Sequence, residues 1–331
     1  MIICRTPFRI SFFGGGTDFP RWYSKNTGSV ISVSIDKFCY ITVRDLPNFF
    51  DYRYRLRYFN TEQAKRIDEI KHSSFREIIK KYHNKNRTIE LVHNADLPAM
   101  TGLGSSSSTT VGTIHALMHL NNKKVNKKKL AYNAIDLEQK ILKESVGSQD
   151  QVIASYGGFN YIKFNKDNSI IVESFKNNKN IKKIENSLFL VFTGLKRKAE
   201  KIEKDKIKKI NKTKKYYDEI NIITLKAKKL IKSKKFKLKD FGKLLSNQWE
   251  LKKKLSPLVS NSNIDKIYDI GMKNGAYGGK LLGAGNGGFF LFICNPRAKK
   301  KLKQKLKNYL NIPIKFDKKG SQIVRYETYQ L

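Results

Sequence analysis

The run Pro98-Ala99-Met100-Thr101-Gly102-Leu103-Gly104-Ser105-Ser106-Ser107-Ser108 constrains this chain more than any other segment, because it sets two glycines and four hydroxyls at a helix start. Val111, Ile114, Leu117 and Met118 follow at helical spacing, so the serines fall in a first turn whose backbone N–H groups have no intrahelical partner. Such a turn takes an anion. Glycine lets the backbone close on phosphate oxygens, the helix dipole favours negative charge, and a serine hydroxyl can ligate the magnesium that accompanies a nucleotide. The pattern predicts a phosphate cradle at Gly102, Leu103, Gly104, Ser105, Ser106 and Ser107; taken alone, it also fits an ordinary capped turn.

With 331 residues the chain has room for two domains, and Cys4, Cys39 and Cys294 lack paired metal-ligand spacing and read as reduced core thiols. No apolar run approaches the ~20 residues that span a bilayer, and Arg5, Pro7 and Arg9 interrupt the apolar opening. A cytoplasmic protein without membrane insertion is expected. The formal net charge of +39 invites a nucleic-acid reading, but its distribution argues otherwise. From Lys196 to Lys254 there are 23 Lys or Arg against 7 Asp or Glu, nearly all the basic ones lysines, the pattern of solvated helix faces. Zinc-finger spacing, a recognition-helix motif and an aromatic-basic signature are all missing from the sequence, so no specific nucleic-acid partner is expected. The charge suits collection of an anionic substrate.

Ser29–Ile35 alternates with period two and Phe38–Val43 continues the sheet, followed by a helix at Phe75–Lys81 and a strand at Thr88–His93 that leads into the serine turn. Lys127–Ser145 reads as a helix ended by Gly147, and Phe159–Phe164 with Ile170–Phe175 as a hairpin around Asn165–Asn168. The Lys- and Asn-rich stretch Lys176–Asn186 separates two expected domains, 1–180 and 187–331. The second has a strand at Leu188–Thr193, long helices over 199–255, a helix at Ile264–Lys273, a glycine-rich strand pair, a basic helix at Arg297–Leu310 and a last strand at Gln322–Tyr329, an order that suits a split α/β sandwich. On the Lys127–Ser145 helix, Ala131, Ala134, Ile135, Ile141 and Leu142 form one stripe, and Glu138 falls within it. A carboxylate there is costly unless paired or bound to a metal; the alternative is a place at the stripe's edge with the head in solvent.

Two more segments repeat the glycine theme. Pro7-Phe8-Arg9-Ile10-Ser11-Phe12-Phe13-Gly14-Gly15-Gly16-Thr17-Asp18 runs from a strand into a triple glycine and an acid, and Gly278-Gly279-Lys280-Leu281-Leu282-Gly283-Ala284-Gly285-Asn286-Gly287-Gly288 precedes the strand-like Phe289–Ile293. In this order, over nearly the whole chain, the three segments resemble the GHMP family of small-molecule kinases. The resemblance implies an α+β, two-domain GHMP kinase fold, with an S5-like N-terminal domain, a ferredoxin-like C-terminal domain and the active site between them. It implies ATP and Mg2+ as cofactors, with Ser106 and Glu138 on the metal. Asp150, in Gly147-Ser148-Gln149-Asp150-Gln151, would face the acceptor hydroxyl as general base or orienting group, and Arg9 would lie beside it and stabilise charge on the transferring phosphoryl group. Gly15, Gly16, Thr17 and Asp18 would contact a sugar, and the last glycine segment, with Gly285, would close over the site. Asn286 stands where many members have glycine, and Asn tolerates the left-handed conformation.

Within the family, the triple glycine, the four serines and the Gly-Ser-Gln-Asp-Gln element are most similar to the D-glycero-D-manno-heptose 7-phosphate kinases, as are Phe192–Arg197 and Trp249–Lys253. That similarity implies phosphorylation of the anomeric hydroxyl to the 1,7-bisphosphate, feeding nucleotide-activated heptose for surface glycans. Partners would be a sugar phosphate and ATP, with the oligomeric state open. Arg197, or its neighbour Lys196, is the candidate to meet the distal phosphate. A fucokinase- or galactokinase-like sugar 1-kinase and a non-catalytic GHMP-fold sensor are the alternatives.

Overall fold

The long strand β1 (Ile2–Phe13) alternates buried and part-exposed side chains over its first half, then buries every residue from Arg5's neighbour Thr6 onward, so its second half has cover on both faces. The computed structural model describes residues 1–47, 49–84, 86–176, 178–195 and 199–326. β1 pairs antiparallel with β2 (Gly28–Arg44), one continuous strand where the sequence suggests two segments. β3 (Tyr54–Arg57), β4 (Thr61–Ala64) and β5 (Ile89–Ala95) extend the sheet on one side, and the hairpin β6 (Phe159–Phe164) and β7 (Ile170–Ser174) pairs with the other end of β2. A second, three-stranded sheet has the order β8 (Leu188–Phe192), β10 (Phe289–Ile293), β9 (Gly278–Leu281).

The helices are α1 (Pro20–Tyr23), α2 (Ser73–Tyr82), α3 (Ser105–Leu120), α4 (Lys127–Asp136), α5 (Gln149–Tyr156), α6 (Lys179–Ser187), α7 (Ala199–Lys208), α8 (Lys214–Lys232), α9 (Leu238–Leu255), α10 (Ser262–Lys273) and α11 (Pro296–Lys305). α3 packs on β1 and β2, while α8 and α9 also reach β1 and link the sheet to the second half of the chain. Phe12 and Phe13 meet Phe241 of α9 edge-on, and Leu282 and Phe289 of the second half belong to the same core as β1. That shared core explains the double-sided burial at the end of β1, the place from which Arg9 and the triple glycine project. The three cysteines are buried and free. No helix among the described residues is long and apolar enough to cross a membrane.

Two further elements differ from the sequence reading. The expected closing strand of the second sheet, β11 (Gln322–Tyr326), instead pairs with the outer edge of β1, and residues 310–312 hydrogen-bond along β8 in its place. A strand edge at β1 is thereby covered, which is the physical demand that wins. The helix expected to run to Ser145 is α-helical only to Asp136 and passes through a π turn at Leu137–Ile141, after which Lys143 takes a left-handed φ of 54°. The wider turn rotates the stripe: Glu138 is buried, whereas Ile141 is 38% exposed.

Candidate active site

The loop between β5 and α3 turns at Gly102 and Gly104, whose φ values of 82° and 76° lie in the left-handed region. A Cβ at Gly104 would stand 3.0 Å from Arg9 Cγ and 3.3 Å from Asp150 Oδ2, so glycine is required there by both conformation and space. Arg9, on β1, is the hub. Its Nε and Nη2 donate to the two carboxylate oxygens of Asp150 at 2.7 and 2.6 Å, and its Nη1 donates to the Gly102 carbonyl at 2.6 Å. The side chains are 7% and 22% exposed, which makes this a bidentate, largely desolvated pair open on the carboxylate side. One guanidinium thus fixes the distance between the glycine turn and Asp150, at the start of α5.

Glu138 comes from the π turn. Ser107 Oγ donates to its Oε2 at 2.9 Å, Gln151 Nε2 donates to the same oxygen, and Oε1 is buried without a hydrogen bond. Burial, reinforced by the charge of Glu144, pushes its carboxyl up to about 8. The structure brings Ser107 rather than Ser106 to Glu138; Ser106 is exposed on the same first turn. An orphaned, desolvated carboxylate oxygen beside a serine-lined helix start fits a divalent cation, whose charge would repay the burial. Glu138→Gln is accordingly expected to weaken Mg2+ binding, shifting the half-saturating Mg2+ concentration upward by roughly tenfold, as for loss of a metal-site partner. An unchanged Mg2+ titration would remove Glu138 from the site.

Opposite the glycine turn, Asp18 is buried, accepting from the amides of Gly16 at 2.9 Å and Gln149 at 3.2 Å. Burial, with the charge of Asp150 adding to it, pushes its carboxyl up to about 6. Thr17, by contrast, turns its hydroxyl inward: Oγ1 lies 2.8 Å from the Gly14 carbonyl and accepts the Ser29 amide at 3.0 Å, so it shapes the turn. Gly15 lies near Ser11 Oγ and Gln149 Nε2, and Gly16 abuts the Tyr217 ring.

The C-terminal glycine segment reaches this site directly. Phe289 N donates to the Thr101 carbonyl at 3.1 Å, and a Cβ at Gly102 would meet the Leu282 carbonyl at 2.9 Å. Gly285 has a φ of 133° and Asn286 one of 59°, so asparagine does adopt the left-handed conformation its place demands. Lys252 of α9 donates to the carbonyls of Leu281 and Gly283 at 2.9 and 2.6 Å. Arg197 and Lys196 lie outside the described residues.

Lys280 is the residue that sequence reasoning passed over. It is buried on β9 and donates to the Ser11 and Phe12 carbonyls at 3.0 and 2.9 Å, tying the second sheet to the end of β1. Its signal was a lone lysine inside an otherwise apolar, glycine-flanked strand. Burial, together with the nearby Arg9 and Lys206, lowers its pKa to about 7, and a neutral amine has two N–H groups for the two carbonyls. Between pH 7 and its ordinary 10.5 the unfolded chain holds a proton that the folded chain does not, so stability rises with pH across that window. Unfolding free energies from urea titrations at pH 7 and 9.5 are expected to differ by a few kcal/mol more in the wild type than in Lys280→Met; parallel profiles would contradict the buried neutral amine.

Comparison with known proteins places this geometry. Residues 71–158 match the GHMP kinases N terminal domain and residues 227–312 the GHMP kinases C terminal domain. Over 315 residues the chain is 32% identical to a D-glycero-alpha-D-manno-heptose 7-phosphate kinase of Campylobacter jejuni, covering 89% of this chain and 90% of that protein. It is 34% identical to the mevalonate kinase of Methanocaldococcus jannaschii over 214 residues, 64% of each. The crystal structure of a D-glycero-D-manno-heptose 1-phosphate kinase from Bacteroides thetaiotaomicron superposes with a TM-score of 0.80 over 99% of this chain and 100% of that one; at 22% identity this likeness shows the fold. With both domain models matched, and with the two halves meeting where Thr101 and Gly102 touch Leu282 and Phe289, the chain belongs to the GHMP kinase family.

Proposed function

We propose that this kinase transfers the γ-phosphoryl group of ATP to the anomeric hydroxyl of D-glycero-D-manno-heptose 7-phosphate. The observation that supports the reading is the Arg9–Asp150 pair held against the Gly102 carbonyl, which fixes a carboxylate beside the glycine turn that opens α3. The relative at 32% identity supports the choice of sugar. In the reaction a bond forms between the sugar O1 and Pγ, the bond from Pγ to the bridging β-oxygen breaks, and the hydroxyl proton passes to an Asp150 oxygen while ADP leaves. Because both Asp150 oxygens already accept from Arg9, its contribution is chiefly orientation of the hydroxyl, which suits a loose transition state with late proton loss. The amides at the start of α3 and the Arg9 guanidinium face the charge that builds on the phosphoryl oxygens. Magnesium, when bound with ATP, supplies neutralisation of the phosphate charge, and Glu138 with the serines of α3 would hold it. Asp18 is suited to accept from adjacent sugar hydroxyls.

Rates of phosphate transfer from ATP to heptose 7-phosphate, unphosphorylated heptose, fucose, galactose and mevalonate test the reading. Heptose 7-phosphate is expected to have the highest kcat/KM; equal use of unphosphorylated heptose would dismiss the sugar phosphate, and nucleotide binding without turnover would make the chain a sensor. Arg197 follows Leu195 by two residues, and the Leu195 carbonyl accepts the Gly288 amide at 2.8 Å, so the segment leading to it lies on the closing glycine turn. Arg197→Ala is expected to raise KM for the sugar phosphate by around tenfold or more and leave KM for ATP unchanged, as one charge-assisted contact of about 1.5–3 kcal/mol is lost. An unchanged sugar-phosphate KM would dismiss this residue.

A further inference from the structure

Three arginines converge on one carboxylate at the far end of the first sheet. In Arg53-Tyr54-Arg55-Leu56-Arg57 every second residue is arginine, and because Tyr54 and Leu56 are buried, β3 turns Arg55 and Arg57 to its other face. Glu90 of β5 stands opposite Arg55 in the parallel ladder and opposite Arg44 in the antiparallel one. Its carboxylate receives Arg44 Nε at 2.5 Å, Arg55 Nη2 at 2.7 Å and Arg57 Nε at 3.5 Å. A cavity of about 260 Å³ opens here, lined by these four residues with Met1, Thr42 and Val92.

The charges do not balance. Asp150 is satisfied by a single arginine, whereas Glu90 has three, leaving two positive charges around a concave site. Composition does not explain them, because only 13 of the 67 basic residues in the chain are arginine, whereas the basic side chains that line this cavity, Arg44, Arg55 and Arg57, are all arginine. Arginine is the side chain whose planar fork matches an oxyanion. Arg55 is also pre-set: its guanidinium lies 5.2 and 6.0 Å from the Phe50 and Tyr52 ring centroids, Nη1 donates to Tyr52 Oη at 3.1 Å, and Nε is buried with no partner. Arg44 and Arg57 are 42% and 51% exposed, so their remaining N–H groups are accessible.

We infer that this cavity binds a phosphate dianion, as a free ion or as the phosphate of a small ester. Two excess positive charges match its charge. The volume, below the roughly 300–1,000 Å³ of sites for drug-sized ligands, admits a phosphate and a few attached carbons. Glu90 lies at the start of β5 and the nucleotide turn follows its end, so this is a second site, separate from the catalytic one.

Thermal midpoints measured against inorganic phosphate and against glycerol 3-phosphate, at constant ionic strength up to about 50 mM ligand, test the inference. Both anions can also enter the catalytic cradle, which the double variant R44Q/R57Q leaves intact. The wild type is expected to gain several degrees, and R44Q/R57Q to lose most of that gain while keeping kcat and KM for ATP, which also shows that it folds. Arg57→Lys keeps the charge without the fork and is expected to need roughly tenfold more ligand. Half-saturation about tenfold lower for the ester would identify a phosphorylated metabolite as the occupant, and equal values free phosphate. No midpoint shift in the wild type, or equal shifts in wild type and R44Q/R57Q, would overturn the site.

Discussion

Asp150→Asn is expected to lower kcat by about 10²–10⁴-fold, because the group that orients the reacting hydroxyl and then takes its proton is lost, with nucleotide affinity little changed. The amide keeps the size of the carboxylate but presents one oxygen to Arg9 where there were two, so both the bidentate bond and the oxygen facing the acceptor are compromised. ATP affinity survives because the glycine turn is still anchored through Arg9 Nη1 on Gly102 and the Arg9 amide on the Leu103 carbonyl, at 2.6 and 2.9 Å. Nucleotide titration beside single-turnover rates separates the two effects. A parallel loss of ATP binding and rate would make the Asp150 loop a structural support.

Gly147→Ala has the next largest expected effect. A Cβ at this position would stand 1.9 Å from Asp18 Oδ2 and 2.5 Å from its Cγ, and the carboxylate cannot simply rotate away because the amides of Gly16 and Gln149 hold it. The added methyl must therefore push Asp18 or open the loop, at a folding cost of about 1–3 kcal/mol. Displacing a positioning group by about an ångström can cost roughly 100-fold, so kcat/KM for the sugar should fall by that order while ATP affinity holds. Near-normal sugar kinetics in Gly147→Ala would show that Asp18 does not position the acceptor.

Much of this site was legible in the sequence, for reasons that differ by residue. Glycines at 102 and 104 marked a turn before a helix, which the structure makes left-handed, and Glu138 stood out by sitting among alanines and isoleucine at helical spacing, where the structure buries it and does not leave its head in solvent. The resemblance linked Arg9 to Asp150 across 141 positions, a pairing no local pattern contains. What escaped was set by tertiary structure. Ser107 rather than Ser106 meets Glu138, because each helical position turns the side chain by about 100° and the register depends on where α3 begins. Lys280 binds carbonyls 268 and 269 residues away, and β11 pairs with a strand more than 300 positions earlier. The π turn at Leu137–Ile141 changes the helical period in the middle of a stripe, which a fixed-period reading cannot follow.

In the proposed reaction phosphate passes from ATP to the anomeric oxygen of a heptose 7-phosphate. Phosphorus NMR of the product formed with Mg-ATP tests it most directly. The expected result is a new anomeric phosphate resonance coupled to H1, the retained 7-phosphate signal, and one ADP released for each sugar consumed. A product phosphorylated at any other carbon, or ADP release with no new sugar phosphate, would contradict it.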